Sequence, residues 1–425
     1  MTSAALTGRM RSAGRRLENG LVLVVLAAMA TVPLMELVAR EVFDGGIAGS
    51  IPLVQHLTLW ITFLGAALAA RSDQLLALST ASFLPARAQT VVRAATAWLA
   101  VAVTGCLLLA SLELTRVDHE YGDIVAWGIP VWLFSGIMPL GFALIAARLV
   151  QHGSDRSSVR FAVATGCVVP LAMLLWPDFP AAGLVLPASL ALVAATALGL
   201  PIFAAIGGIA LLLFWHDGIP ASAVPGEAYR MSTSPMLPAI PLFTLAGYIL
   251  AEGGSSQRLL RFCSALVGWM PGGLAIVTTL VLAFFTPLTG ASGITILAMG
   301  GLLLPMLVKG RYTERNAIGL VTVSGSIGVL FPPSLPVILY AYYAEVELDR
   351  LFVGGLLPGV LLVLVVAAWG ARSGWRAGAP RTPFRPRELL AALWHAKWEL
   401  LLPVIVLYSL FGGFATLVEA SALTV

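Results

Sequence analysis

Long apolar runs alternate with short polar joints along this chain. Leu21–Val38, Ile51–Ala70, Val91–Thr115 and Trp127–Val150 come first. Each is long enough, at about 1.5 Å per residue, to cross most or all of a hydrocarbon core of about 30 Å as a helix. Phe83-Leu84-Pro85 reads as a short interfacial turn between the second and third. The hydrophilic joint Gln151–Arg160, with Ser154, Asp155, Ser157 and Ser158, predicts a domain boundary. A lone run, Phe161–Trp176, is closed by Pro177-Asp178-Phe179-Pro180. A second domain begins near Ala181 with Leu184–Gly199 and Ile202–Trp215, joined at Gly199-Leu200-Pro201. The Pro-, Gly- and Ser-rich Asp217–Pro235 reads as a loop before the short run Leu237–Leu250. Ser255–Met270 is amphipathic, with Leu259, Phe262 and Leu266 on one face and Arg258 and Arg261 opposite, which predicts a helix lying in the interface. The last spans are Leu351–Ala371 and Trp398–Phe411, separated by the basic loop Arg372–Arg387 and the amphipathic Glu388–Lys397.

Between these lies a stretch that breaks the pattern. Gly273–Leu288 and Ile294–Leu307 flank the uncharged tip Thr289-Gly290-Ala291-Ser292-Gly293. A third run, from Asn316, is interrupted by Ser324-Gly325-Ser326-Ile327-Gly328 and then by Phe331-Pro332-Pro333-Ser334-Leu335-Pro336. In lipid, each unpaired backbone group costs several kcal/mol, so irregular backbone survives only beside protein or a water-filled cavity. Two such breaks close together mark an ion and substrate site near the midplane. The tip either dips and returns or joins two spans. The second arm, Ile294–Leu307, reaches roughly 21 Å, short of a core of about 30 Å, and the tip carries no charge, so length and composition favour a re-entrant hairpin over 273–307. The broken helix covers 316–344. The expected fold is an all-α, multi-span membrane protein with a re-entrant hairpin and a broken helix, built as 1–150, a connecting helix in 151–180, and 181–425.

Composition agrees with a lipid bilayer as the surroundings. Of the 425 residues, 59% are hydrophobic and 11% charged, against about 25% charged in soluble domains. A net charge of +4 does not point to nucleic acid. With the N-terminus in the cytoplasm, only Arg40, Arg116, Arg230 and Arg350 of the 25 basic residues fall outside, and the outer loops collect acids instead. A cleaved signal peptide is the alternative reading of the basic N-terminus, but the first run is long and lacks a small-residue cleavage site. Cys106, Cys167 and Cys263 form no paired motif. The five histidines have no metal-ligand spacing, and neither a nucleotide-binding loop nor a hydrolase motif occurs, so neither enzymatic nor ATP-driven function is expected. Glu399 is expected to pair locally with Lys397.

A sodium ion needs several oxygen ligands, and a half-helix ends on free carbonyls. Thr289, Gly290, Ser292 and Gly293 at the tip, with Ser324, Gly325, Ser326 and Gly328 at the break, are the candidate cage; glycine lets backbones approach closely. The second half-helix starts near Pro332, Pro333 and Ser334. Its N–H groups, with Ser292, suit a substrate carboxylate. Glycine and proline that serve only close packing and a kink are the alternative.

The words Ile240-Pro241-Leu242-Phe243-x-Leu245-Ala246-Gly247, Gly272-Gly273-Leu274-Ala275, Thr289-Gly290-Ala291-Ser292-Gly293 and Phe331-Pro332-Pro333-Ser334-x-Pro336 resemble the membrane part of tripartite ATP-independent periplasmic (TRAP) transporters. Residues to about 150, including Arg40-x-x-Phe43 and the Ile51–Trp60 region, resemble the small subunit, and residues from about 181 the large one. The resemblance implies a bacterial inner-membrane permease that imports carboxylate-bearing solutes with sodium as coupling ion and no other cofactor. A periplasmic binding protein delivers the solute. It also implies two inverted repeats in the large subunit, of which this chain matches the first, so a further polypeptide is a possible partner. The family word Gly-x-x-Thr-Pro-Thr-Glu has a degenerate counterpart, Gly413-Phe414-Ala415-Thr416-Leu417-Val418-Glu419, for which a helix cap is the alternative reading. The competing functions are an unrelated carrier with the same hairpin logic and a non-transporting scaffold or half-transporter.

Overall fold

In a bilayer only internally bonded backbone is stable, and nearly every apolar run here is helical. The computed structural model describes residues 3–78, 80–153, 157–175, 183–290 and 292–425; Ser154, Asp155, the Pro177–Pro180 joint and Ala291 of the tip lie outside them. By packing, the chain divides into Met1–Ala28 with Ala48–Ser234, and Met29–Ile47 with Pro235–Val425.

The first unit takes in the start of α1 (Ser3–Phe43), then α2 (Ser50–Arg71), α3 (Ala86–Tyr121), α4 (Val131–Ser135) and α5 (Ile137–His152). Helix α5 packs on α2 and α3. Gly141 makes that approach possible, since a Cβ there would lie 2.4 Å from Phe63 Cδ1, and Phe63 meets Phe142 edge-on at 5.0 Å. Glu18 ties the same end together by accepting from Arg71 and Arg148. The expected run from Trp127 starts inside a feature the sequence pattern did not predict and turns helical only at Val131. Strands β1 (Ile124–Ala126) and β2 (Ile129–Pro130) form a hairpin whose loop residues Trp127 and Gly128 both have positive φ. That is the mirror-image turn matching strand twist; tryptophan is an unusual occupant, which hid it.

The remaining helices of this unit are α6 (Ser157–Ala164), α7 (Val168–Leu175), α8 (Val185–Ala197), α9 (Ile202–His216) and α10 (Ala223–Ser232). The expected single connecting span is α6 and α7 with a 3-10 turn at Thr165–Cys167 between them. Gly166 seats that turn on α3, where a Cβ would come 2.7 Å from the Trp98 carbonyl. Packing places α8 and α9 with α3 around Ala100, Leu192, Ala195, Leu200, Ala204 and Ala205, so these two helices group with the first unit by packing. The expected loop Asp217–Pro235 contains α10. Its Pro225 lies in the first turn, where a missing N–H costs nothing, and Tyr229 donates to His56 Nε2 at 2.6 Å.

The second unit comprises α11 (Ala239–Glu252), α12 (Ser255–Val267), α13 (Gly273–Thr289), α14 (Ser292–Lys309), α15 (Glu314–Ile327), α16 (Leu335–Ala344), α17 (Leu348–Arg376), α18 (Pro386–His395), α19 (Lys397–Phe411) and α20 (Leu417–Thr424). Helix α12 is amphipathic, but its covered stripe is Ser255, Leu259 and Cys263, while Leu266 is 40% exposed. Among the described residues, five helices are long and apolar enough to cross a membrane, or seven if each of two bent pairs counts as one span. Those pairs are α15 with α16, bent by 42°, and α18 with α19, bent by 60°. The fold is an all-α, multi-span membrane protein.

Candidate functional site

Helices α13 and α14 form a hairpin that turns at Gly290, whose φ is 72°. Only glycine adopts that conformation freely, and a Cβ there would lie 2.1 Å from Leu335 Cδ1. The hairpin base is fixed differently. Tyr312 is buried and donates to the carbonyls of Gly272 and Gly370 at 3.3 Å each. Burial pushes its hydroxyl up to about 12, so it remains a neutral donor at physiological pH.

The partner of the hairpin is the broken helix. Helix α15 ends in a 3-10 turn, Gly328–Leu330, and the backbone bends through Phe331, Pro332 and Pro333, with a cis peptide between the two prolines, before α16 begins. The hairpin touches both halves. Near its tip, Gly290 sits on Leu335 of α16. On the other side, a Cβ at Gly325 of α15 would lie 2.6 Å from Ile296 Cγ1 and 3.8 Å from the Ser292 carbonyl of α14. Gly328 is covered by α13, its Cβ position 2.4 Å from Thr286 Cβ. Glycines therefore let the tip and the break approach closely on two sides.

Hydroxyls cross the same junction. Thr286 donates to the Gly325 carbonyl at 3.0 Å. Ser324, fully buried, donates to Thr279 at 3.2 Å. Thr289 and Thr295 share a bond between the two arms of the hairpin. Thr279, Thr286 and Thr295 were missed by sequence reasoning because an isolated threonine in an apolar run reads as part of the span. The recurrence of threonine at Thr278, Thr279, Thr286, Thr289 and Thr295 was the available signal.

Of the candidate cage, Gly325 lies near the Ser292 carbonyl, while Ser324 and Gly328 meet α13 at Thr279 and Thr286, Gly290 meets Leu335, and Thr289 bonds Thr286 and Thr295. Ser326 is exposed and donates to the Thr322 carbonyl of its own helix, and Gly293 is exposed with nothing within 4 Å of its Cβ position. Among the candidate substrate residues, Pro332, Pro333 and Ser334 are buried. Ser334 occupies the N-cap position of α16 without capping it, and its Oγ has no hydrogen-bond partner. A buried hydroxyl left unpaired costs about 1–3 kcal/mol. Beside the break, Leu280, Phe284, Pro287, Phe331, Pro332 and Val360 line part of a cavity of about 470 Å³. Its walls are almost wholly apolar, which does not suit a carboxylate.

Of two acids elsewhere, one differs from its sequence reading and the other takes the helix-cap alternative. Glu399 accepts from Arg258 of α12 at 2.5 Å rather than from Lys397; the ammonium of Lys397 instead lies 3.7 Å from the Trp394 ring centre. Helix α12 lies on α18 next to the 60° bend, which brings Arg258 to the start of α19. Glu419 caps α20, accepting from Thr416 N at 2.7 Å, and also binds Arg40.

Comparison with known proteins adds to this geometry. Residues 189–425 match the family model described as the DctM component of tripartite ATP-independent periplasmic transporters, and residues 29–157 match the DctQ component. The isethionate TRAP transporter permease protein DctMQ of Oleidesulfovibrio alaskensis is 31% identical over 391 residues, covering 87% of this chain and 60% of that protein. The C4-dicarboxylate TRAP transporter large permease protein DctM of Vibrio cholerae is 36% identical over 230 residues, 53% of this chain and 50% of that protein. The 2,3-diketo-L-gulonate TRAP transporter large permease protein YiaN of Escherichia coli is 32% identical over 233 residues, 53% and 54% respectively. The chain thus spans between half and 60% of the length of these relatives.

Proposed function

The chain belongs to the tripartite ATP-independent periplasmic transporter family, and from that premise we propose that it is the membrane component of a sodium-coupled, binding-protein-dependent importer of small carboxylate-bearing organic acids. The observation that carries this reading is the hairpin tip set against both halves of the broken helix. Carbonyls at the ends of α13 and α15 carry partial negative charge and suit a cation. The start of α16, at the break, has an uncapped first turn and the unpaired Ser334 hydroxyl, which suits a carboxylate. The names of the relatives, which refer to isethionate, C4-dicarboxylates and 2,3-diketo-L-gulonate, support a small anionic solute. The basic residues gathered on one side support a cytoplasmic N-terminus. A midplane site built on inverted repeats uses a hairpin and a broken helix from each. Residues 273–344 hold one of each, so the complete site uses a second such pair.

The test is uptake of labelled organic acids into proteoliposomes, with a periplasmic binding protein, a sodium gradient and a polypeptide supplying the second repeat. Ser334→Ala should raise KM for the acid about tenfold or more while leaving thermal stability equal or higher, because it removes an unsatisfied buried group. Uptake that ignores the sodium gradient, or that proceeds equally without the binding protein, would overturn the proposal.

A further inference from the structure

Helix α1 carries two stripes after Met29. Thr31, Met35, Val38 and Val42 are exposed, while Met29, Pro33 and Glu36 are buried on the opposite face, with Arg40 next in the same register. The buried stripe ends in an ion pair across 379 residues of sequence. Arg40 Nη1 donates to Glu419 Oε1 at 2.9 Å and Nη2 to Oε2 at 3.1 Å, and Nη2 also donates to the Phe414 carbonyl at 3.0 Å. The Glu419 side chain is 3% exposed. Glu36 is buried as well and accepts from Ile47 N at 2.7 Å, which folds the chain after α1 back on itself. Gly46 leaves room for this, since a Cβ there would lie 2.6 Å from Glu36 Oε1.

We propose that residues 29–47 are the docking element by which the DctQ-like part of the chain engages the DctM-like part, and that the fork between Arg40 and Glu419 fixes its register. These residues lie in the stretch matched by the DctQ component, yet they pack in the unit that holds residues 235–425 of the DctM-like stretch. A guanidinium fits this role because it can bridge both carboxylate oxygens and a carbonyl in one plane. The partner surface is the first turn of α20, where Glu419 also closes a capping box with Thr416. The proposal does not depend on the transport reading.

Hydrogen exchange on the full chain in detergent tests it, with Arg40→Ala, Glu419→Gln, their combination, Arg40→Lys and Glu41→Gln. Glutamine keeps the capping bond but removes the charge. Arg40→Ala and Glu419→Gln should each speed exchange over 36–47 and 414–424 at least fivefold, and the double variant should be no faster than either single one. Arg40→Lys should resemble Arg40→Ala, since one ammonium cannot form the fork. Glu41→Gln should match the wild type, because Glu41 lies 3.7 Å from Arg40 and is exposed. Additive effects in the double variant, wild-type exchange in Arg40→Lys, or an equal effect of Glu41→Gln would overturn the proposal.

Discussion

Helices α3 and α13 are both apolar, both carry several hydroxyl side chains, and use them differently. In α3, Thr96, Thr104, Ser111 and Thr115 each donate to a carbonyl three or four residues earlier in the same helix. In α13, Thr278 does the same. Thr279, however, accepts from Ser324, Thr286 donates to Gly325 as well as to Leu282, and Thr289 meets Thr295. The residue type and the back-bond are shared, so the difference lies in the neighbour. Back-bonding satisfies a hydroxyl without any partner helix, and α3 runs unbroken through its packed surroundings. Helix α13 faces a helix that stops, and the carbonyls freed there need donors. Helix α13 is therefore where hydroxyls bond across to a neighbouring helix and not only within their own.

Glycine substitutions should widen that contrast most. Gly290→Ala combines a left-handed backbone with a Cβ 2.1 Å from Leu335, and Gly328→Ala places a Cβ 2.4 Å from Thr286. Overpacking costs about 1–3 kcal/mol, and a left-handed alanine adds about 1–2 kcal/mol. Both variants should lower thermal stability clearly and reduce uptake at least tenfold. Gly319→Ala, in the same α15 with nothing within 4 Å, should stay within about 1 kcal/mol of the parent by helix propensity and within twofold in uptake. Equal behaviour of Gly319→Ala and Gly328→Ala would show that the tight junction has no special role.

Removing single hydroxyls asks the question more gently. Thr286→Val keeps the shape but takes a donor from the Gly325 carbonyl, which should cost about 1–2 kcal/mol. Thr104→Val in α3 removes only a bond to its own helix, whose carbonyl stays in the helical ladder, and should cost about 0.5 kcal/mol, the low end for a hydrogen bond. Denaturant unfolding of the two variants side by side measures the difference. If the α3 variant is the more damaging, crossing bonds do not distinguish the two units.

How much of this was legible depends on whether a feature is local. The break in the third run was readable because glycine followed by paired prolines cannot continue a helix in any setting, and the bend between α15 and α16 lies there. The tip was readable because an uncharged polar turn between apolar arms has few other uses in lipid. Helix α10 was not, since Pro225 and Gly226 look like loop residues until the first helical turn is located. The fork between Arg40 and Glu419 spans 379 positions and follows no spacing rule. Sequence could place each residue in a family word but could not join them. Which hydroxyls face the junction was equally hidden, because Ser324 and Ser326 differ only in helical phase, and that phase is set by the packing of α15 on α13.

The smallest expected effect comes from that last pair. Ser324 is buried and donates to Thr279, which donates in turn to the Ala275 carbonyl at 3.0 Å. Ser324→Ala leaves Thr279 satisfied by its own helix, so the loss should be about 0.5–1.5 kcal/mol. Ser326 is exposed and bonded only within α15, so Ser326→Ala should change stability by less than about 0.5 kcal/mol. Sodium dependence sharpens the test beyond stability. If the cation sits among the hydroxyls that α13 and α15 share, Ser324→Ala should raise the sodium concentration for half-maximal uptake several-fold, while Ser326→Ala should leave it within twofold. The reverse ranking would move the ion to the exposed face of α15, and the crossing bonds of α13 would then serve packing alone.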